Sequence, residues 1–467
     1  MQHVTMIRIH LNQPLGVSSR LWRFKYNRPR LEDVGARKIA PDQNRRGRQE
    51  SQRKCVGGNN ICFFVTASRV AYFLLVLCPQ FLLSQSSASP DVLLLNKSAL
   101  VAARAAYQKD PSSISPSLWT FLAEAKTALK TEPVSVVDKN QLPPSGDKHD
   151  YFSLAPYWWP DSTKPDGLPY IRRDGQVNPE RHAIGDRDKI GVLSSSVYTL
   201  SVAYFITGDE TFAAHAVRFL RTWFLDSETR MNPNLTYAQA VKGRNEGRGI
   251  GIIDTHGFVR LIDGLNLLKM SKEWTKPDDS GIKEWFKAYL RWLRESPNGK
   301  DEADAKNNHG SVYDVQTCCY ALLLGKEDEA REILLEVGKK RIAVQVEPDG
   351  SQPLELERTK AYNYSLLNLE ALINLARLGE RLGVDLWSFE APNGGSIRKA
   401  IEFLIPYTLG KKEWKWKQIV PFEYERMIPI LRIASKKYGD PSYAAAAKAV
   451  MQKPGTVPRA NFSGPEE

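Results

Sequence analysis

The sequence has little cysteine: five residues in 467, Cys55, Cys62, Cys78, Cys318 and Cys319. None forms a Cys-x-x-Cys spacing, so neither a zinc ribbon nor a disulfide framework is indicated. The vicinal pair Cys318-Cys319 sits in an apolar run and reads as small core residues. No His-x-x-x-His occurs, and no metal site is expected. The glycine-rich loop at 243–251 lacks a Gly-Lys-Ser/Thr ending, which excludes a P-loop. Strand signals are scarce, and no repeat of fixed period is present, which argues against a regular solenoid. A strong charge of one sign is also missing from most of the chain. Residues 1–60 carry 13 Lys+Arg against 4 Asp+Glu, whereas the remaining 52 basic and 49 acidic residues leave a net of only +3. The main body therefore gives no reason to expect a nucleic-acid partner.

What is there is a soluble composition, 42% hydrophobic and 25% charged, with 11 Trp. Residues 1–60 are basic and aperiodic and read as a disordered extension. The segment 61–88 joins Arg69, a short apolar run and the small-residue stretch 84–89, the parts of a secretory signal. Its distance from Met1 is unusual. A very long n-region, a translation start further downstream and an uncleaved anchor are all compatible with it. Export is the expectation, with cleavage near Ala88, a secreted or periplasmic location and no stable membrane association once cleaved. A domain over 89–453 and a disordered tail over 454–467 follow.

Within 89–453, 3.6-residue periodicity predicts helices over 92–107, 115–130 (with Ser117 as a cap), 192–206, 210–224, 252–270, 280–294, 312–324, 327–344, 396–407, 424–438 and 441–451, and a long helix ending at 382. About a dozen helices with loops of unequal length make an all-α domain, and a helical toroid around a central cleft fits the count. The aromatic segment Asp150-Tyr-Phe-Ser-Leu-Ala-Pro-Tyr-Trp-Trp-Pro160 is interrupted by prolines and is expected to be a loop. Tyr157, Trp158 and Trp159 on it could stack on sugars or fold back onto the core.

Two constellations carry chemistry. Asn307-Asn-His-Gly310 sets two amides, an imidazole and a glycine in a row at a helix start. Arg358, Tyr362 and Tyr364 lie where another helix begins. The two tyrosines are two residues apart, so they cannot share a helix face and at most one can enter the cleft of His309. A neighbouring arginine favours phenolate and would bring a tyrosine closer to proton exchange at neutral pH. Amide, imidazole, guanidinium and phenol are the groups that β-elimination on a uronate needs. The carboxylate must be neutralised, the C5 proton removed and the leaving O4 protonated. Glycoside hydrolysis would need two carboxylates about the bond; Glu246, Asp254, Glu347 and Asp349 are available but unpaired in sequence.

Four segments in order, Asp150-Tyr-Phe-Ser-Leu-Ala-Pro-Tyr-Trp-Trp-Pro160, Arg244-Asn-Glu-Gly-Arg-Gly-Ile-Gly-Ile-Ile-Asp254, Asn307-Asn-His-Gly310 and Arg358-Thr-Lys-Ala-Tyr-Asn-Tyr364, resemble the alginate lyase domain family over about 92–438. The resemblance implies an incomplete α/α toroid, export, and elimination on an anionic uronate polysaccharide without a cofactor; a monomer is expected. By motif, Asn308 and His309 look like the pair that neutralises the uronate carboxylate, His309 also serving as a candidate base. Arg358 looks like the carboxylate-binding arginine and Tyr364 like the catalytic tyrosine, acting as acid and a second candidate for base. The Arg-to-Tyr spacing is one residue shorter than the family pattern, which keeps Tyr362 as a rival. Arg244, Arg248, Asn307, Tyr157, Trp158, Trp159 and Tyr362 are the expected substrate contacts. A hydrolase on the same fold and a non-catalytic glycan-binding protein are the alternatives.

Overall fold

Several helix starts in this chain are set by side chains that accept orphan backbone donors. Asn96 caps α1 (Lys97–Lys109) and Ser115 caps α2 (Pro116–Ala128). The cap of α2 is thus Ser115 and not Ser117, because Pro116, which has no N–H to lose, takes the first helical position. The computed structural model describes residues 90–453 together with Ala460 and Phe462. The extension 1–60, the segment 61–88, Cys55, Cys62, Cys78 and nearly all of the tail lie outside the described residues.

Two short ladders follow α2. Strand β1 (Phe152–Leu154) later pairs in parallel with β4 (Tyr237–Ala240), while β2 (Trp158–Trp159) pairs antiparallel with β3 (Ile171–Arg172), Trp158 opposite Arg172. The aromatic segment is therefore a strand-bearing flap, not an irregular loop. Its base is pinned by Asp186, which accepts from the Phe152 N–H and ion-pairs with Lys139 at 2.8 Å, both side chains fully buried. Helix α3 (Asp186–Thr207) packs against α1, α2, α4 (Glu210–Leu220) and α5 (Phe258–Leu268). It is apolar around most of its circumference because neighbours cover it on several sides. By length and hydropathy it could cross a membrane, but two thirds of its apolar window is buried in the protein.

The remaining helices are α6 (Lys276–Glu295), α7 (Pro297–Ala303), α8 (Asn308–Leu323), α9 (Glu327–Val337), the short α10 (Ala343–Gln345) and α11 (Pro353–Leu356), the long α12 (Ala361–Leu382), α13 (Ile397–Thr408), α14 (Met427–Tyr438) and α15 (Pro441–Met451). Helix α8 lies at the centre, against α5, α6, α7, α9 and α12, and is buried over nearly its whole length. Cys318 and Cys319 on it are buried and free, as core residues should be.

Several expected helices are broken, each time where a polar side chain leaves its own element. Residues 92–95 form a strap, not a helix: the N–H groups of Leu93, Leu94 and Leu95 all donate to the buried Asp263 carboxylate of α5. The run 252–270 divides into a 3-10 turn (Gly249–Thr255) and α5, because the Thr255 hydroxyl bonds across to Tyr289 and Gln316. The run 210–224 ends in a π turn (Arg221–Leu225), where Arg221 reaches Asp278 of α6 in a two-point contact at 2.8 Å. The run 327–344 ends in another (Gly338–Ile342), whose Arg341 is 2% exposed and chelates Asp314 of α8.

Candidate active site

The start of α8 is built around Arg341. Its guanidinium donates to the carbonyls of Ala303 and Ala305 at 2.7 Å and so ties the α7–α8 turn to the π turn. Gly310 lies directly under this arginine. A Cβ there would stand 2.1 Å from the Ala305 carbonyl oxygen and 2.2 Å from Arg341 Nη1, so no side chain fits. Asn307 is the N-cap: its Oδ1 accepts from the His309 N–H, and its carbonyl accepts from Gln345. Its side chain serves the helix start, and no substrate role is needed to explain it.

His309 points its Nδ1 at Glu302 of α7, 2.7 Å away, and its side chain is 12% exposed. In the neutral ring this contact places the proton on Nδ1 and leaves Nε2 as a lone pair with no hydrogen-bond partner among the described residues. Asn308 takes a different place from the one its motif suggests. It has no exposed surface, and its backbone N–H and Nδ2 both donate to the Glu355 carboxylate at 2.7 Å. Helix geometry explains this: the residue before His309 faces the core when His309 faces the cleft. Asn308 is thus a clamp between α8 and α11. Burial raises the pKa of Glu355, against the two bonds from Asn308 and the nearby positive charges of Arg358 and, when protonated, His309. Glu355 therefore lies within electrostatic reach of both halves of the site.

Arg358 follows α11 and is held by Asp174, from the turn after β3, with Nη2–Oδ1 at 2.9 Å. Asp174 also accepts from the backbone and hydroxyl of Thr359 at 3.0 Å. Burial opposes the ionised carboxyl of Asp174, but the bonds from Arg358 and Thr359 outweigh it and hold its pKa well below the usual range. The next residue, Gly175, has φ +73° and packs so closely on Thr359 that a Cβ would lie 2.2 Å from its Oγ1. The flap is thereby fastened to the start of α12.

Tyr364 sits in the first turn of α12. The Arg358 guanidinium carbon lies 4.1 Å from the centre of its ring, and its hydroxyl is 2.8 Å from that of Tyr157. The expectation that arginine would bring this phenol toward ionisation is corrected. Burial, followed by the neighbouring Tyr157, pushes the Tyr364 pKa far up, and Arg358 only partly opposes them. Arg358 already shares its charge with Asp174. Tyr362 is not a rival: it is fully buried, bonds Thr408 at 2.8 Å and packs edge-on against Trp414, Phe422 and Tyr424.

The flap aromatics divide their work. Tyr157 reaches Tyr364, with Lys360 Nζ 5.1 Å from its ring centre. Trp158 is half-buried with the guanidinium groups of Arg244 and Arg248 at 5.1 and 5.8 Å from its ring. Trp159 bonds the Gln176 carbonyl and carries Arg173 on its ring at 5.4 Å. Trp158 and Trp159 are therefore cation platforms within the protein more than bare sugar-stacking faces. Arg244 is exposed and fixed through Nε to the Tyr170 carbonyl. Arg248 donates to the backbone and side chain of Gln239 and lies within electrostatic reach of Glu302. Burial and then Arg172 lower its pKa to about 10, so it stays charged at neutral pH.

Sequence reasoning passed over Glu302, Glu355, Asp174 and Gln239. Gln239 is the one non-glycine described residue with positive φ (51°), a local strain of the kind found at functional sites. It donates to Asp254, which also accepts from Tyr151, Ser153 and Arg187. Asp254 was a candidate hydrolytic carboxylate, but its oxygens are consumed as a buried acceptor. Glu246, Glu347 and Asp349 are exposed and not grouped with it by any contact. No pair of open carboxylates faces this site among the described residues.

Comparison with known proteins bears on the family and the fold. The Alginate lyase family matches residues 135–414. An alginate lyase from Bacteroides ovatus is 42% identical in sequence, with a TM-score of 0.75 over 78% of this chain and 97% of that one. A variant of alginate lyase A1-III complexed with a tetrasaccharide shares the fold at 15% identity and a TM-score of 0.50, covering 78% and 98% of the two chains. No match is found among curated proteins. The expected helical toroid is thus the fold, and the chain belongs to the alginate lyase family of polysaccharide lyases.

Proposed function

We propose that the site performs β-elimination on a polyuronate of the alginate type, with His309 as base and Tyr364 as acid. The observation that carries the assignment is the opposite preparation of the two groups. His309 is oriented through Nδ1 so that Nε2 offers a lone pair. Tyr364 is held protonated by burial and Tyr157, the form an acid must have at rest. The uronate carboxylate would meet Arg358 and Arg248, whose Nη1 groups carry no hydrogen bond among the described residues. Their charge stabilises the enolate formed as C5 loses its proton to Nε2. The electron pair of the C5–H bond becomes the C4–C5 double bond, the C4–O4 bond breaks, and O4 takes the Tyr364 proton. His309 then returns a proton to the phenolate through solvent, so the net transfer is from C5 to O4.

Direct substrate contact by Asn308 is not part of this reading, because its amide serves Glu355. Export belongs to the proposal as well: a polymer of this kind is met outside the cell, and segment 61–88 has the composition of a signal. Amino-terminal sequencing of the exported form should begin near Ser89. Digestion of sodium alginate and of polyglucuronate tests the reaction. Absorbance from the new double bond should rise on at least one of them and vanish in H309A and Y364F. Reducing ends released without absorbance would overturn the assignment in favour of hydrolysis.

A further inference from the structure

The segment after α13 reads Lys411-Lys-Glu-Trp-Lys-Trp-Lys417, four lysines and one glutamate interleaved with two tryptophans. Its position gives this composition a meaning. The Ala361 N–H donates to the Lys417 carbonyl at 3.0 Å, the Ile419 N–H donates to the Thr359 carbonyl at 3.0 Å, and Lys360 bridges Gln418. The segment is therefore laid as an extra edge along the stretch between Arg358 and Tyr364.

Burial alternates along the segment: residues 414, 416 and 418 are partly buried and 415, 417 and 419 exposed. Trp414, Trp416 and Gln418 turn inward. Trp414 packs against Tyr362 and Tyr407, and Trp416 against Trp414 and Phe403. Gln418 bonds the Tyr362 N–H and Asn363. Lys415 and Lys417 turn outward and are exposed. Neither forms an ion pair among the described residues. Lys360, next on the adjoining backbone, stands over Tyr157, whose hydroxyl touches Tyr364. The aromatic contacts anchor the segment to the protein and leave Lys415 and Lys417 exposed on either side of Trp416. Unpaired ammonium groups on such a frame suit a chain with repeated carboxylates.

We propose that Lys360, Lys415 and Lys417 form a track that binds uronate units of the polymer beyond those at the reacting bond, on the Tyr364 side of the site. This rests on the polyuronate reading above. The track does no chemistry. It holds a long anionic chain in register and makes the enzyme favour polymer over short oligosaccharide.

The test is the double variant K415A/K417A, with K126A/K130A, in the last turn of α2 and just beyond it, as a control of equal charge loss. Electrophoresis through gels containing sodium alginate reads binding independently of turnover. Wild type and control should be retarded alike and the double variant less. Equal retardation of all three, equal loss in the control, or no retardation of wild type would overturn the track. In turnover, the KM for alginate should rise about five- to tenfold, as expected for two exposed charge contacts. The KM for an alginate trisaccharide should stay within about twofold, since removed contacts beyond a short ligand cannot affect it. An equal rise on both substrates would refute the track. A wild type that is retarded yet yields no unsaturated product would fail the reaction reading while leaving the track standing.

Discussion

Glu302 offers the sharpest test of how His309 is prepared. Its carboxyl is 2% exposed; Oε1 meets His309 Nδ1 at 2.7 Å, while Oε2 is buried with no hydrogen-bond partner among the described residues. In Glu302→Gln the amide oxygen still accepts from Nδ1, so the ring keeps its orientation but loses a charged partner. Hydrogen bonds to charged groups contribute about 1.5–3 kcal/mol and neutral ones about 0.5–1.5. The difference, about 1 kcal/mol, predicts a roughly five- to tenfold fall in kcat/KM. Glu302→Ala removes the acceptor altogether and should cost about 2–3 kcal/mol, roughly 30- to 150-fold. Stability should behave differently: the half-unpaired carboxylate is itself costly to bury, so Glu302→Gln should melt within about 1 kcal/mol of wild type. The assay is the initial rate of absorbance increase on alginate, alongside thermal denaturation of each variant. If Glu302→Ala retained wild-type activity, orientation through Nδ1 would not be what prepares the base.

The tyrosines separate by role. Tyr364→Phe should abolish turnover while folding normally, whereas Tyr362→Phe should lose only the Thr408 bond, about 1 kcal/mol by denaturant titration, and retain its kcat. Gly310→Ala should destabilise by about 3 kcal/mol or more in a melting experiment, since its Cβ would overlap the Ala305 carbonyl and Arg341. Asp278 gives a pH signature: burial opposes its charge, but bonds from Arg221 and Thr275 lower its pKa from 3.8 to about 2. A depressed folded-state pKa contributes stability above the unfolded value that is lost as pH falls through the folded one. Asp278→Asn should therefore cost up to about 2 kcal/mol at neutral pH, and the gap from wild type should close between about pH 4 and pH 2 in urea titrations.

The helices were legible because their signal is local: apolar spacing, caps and glycine stops. Their breaks were not. The strap at 92–95, the turn at Thr255 and the π turns at Arg221 and Arg341 each depend on a polar partner far along the chain, such as Asp263 for Leu93 or Asp278 for Arg221. The site divides in the same way. His309, Arg358 and Tyr364 could be picked out because they stand in distinctive short motifs. Tyr362 could be set aside only in three dimensions, where Thr408 and Trp414 surround it. Asn308 shows the limit of motif reading. Its identity drew attention to the right helix, but its amide faces a glutamate 47 residues away, and no spacing rule predicts that contact.

The carboxylates that no sequence motif marks explain how an elimination site can be assembled from a helical frame. Glu302 orients the imidazole, Glu355 joins the imidazole's helix to the short helix before the arginine, and Asp174 joins the arginine to the flap. Each is at least partly withdrawn from water and engaged by at least one nearby group, Glu302 through Oε1 alone. Withdrawal also makes them firm supports, because breaking a buried charged contact costs more than breaking an exposed one. Asp174 has a second effect. By sharing the charge of Arg358 it weakens the pull of that arginine on the Tyr364 proton, leaving burial and Tyr157 to keep the phenol protonated. A uronate carboxylate arriving at Arg358 would compensate that positive charge further and help retain the proton until O4 departs. On the proposed assignment the acid thus depends on Asp174, and Asp174→Ala should reduce kcat even where the flap keeps its place, with the pH profile of kcat displaced toward lower pH on its alkaline side.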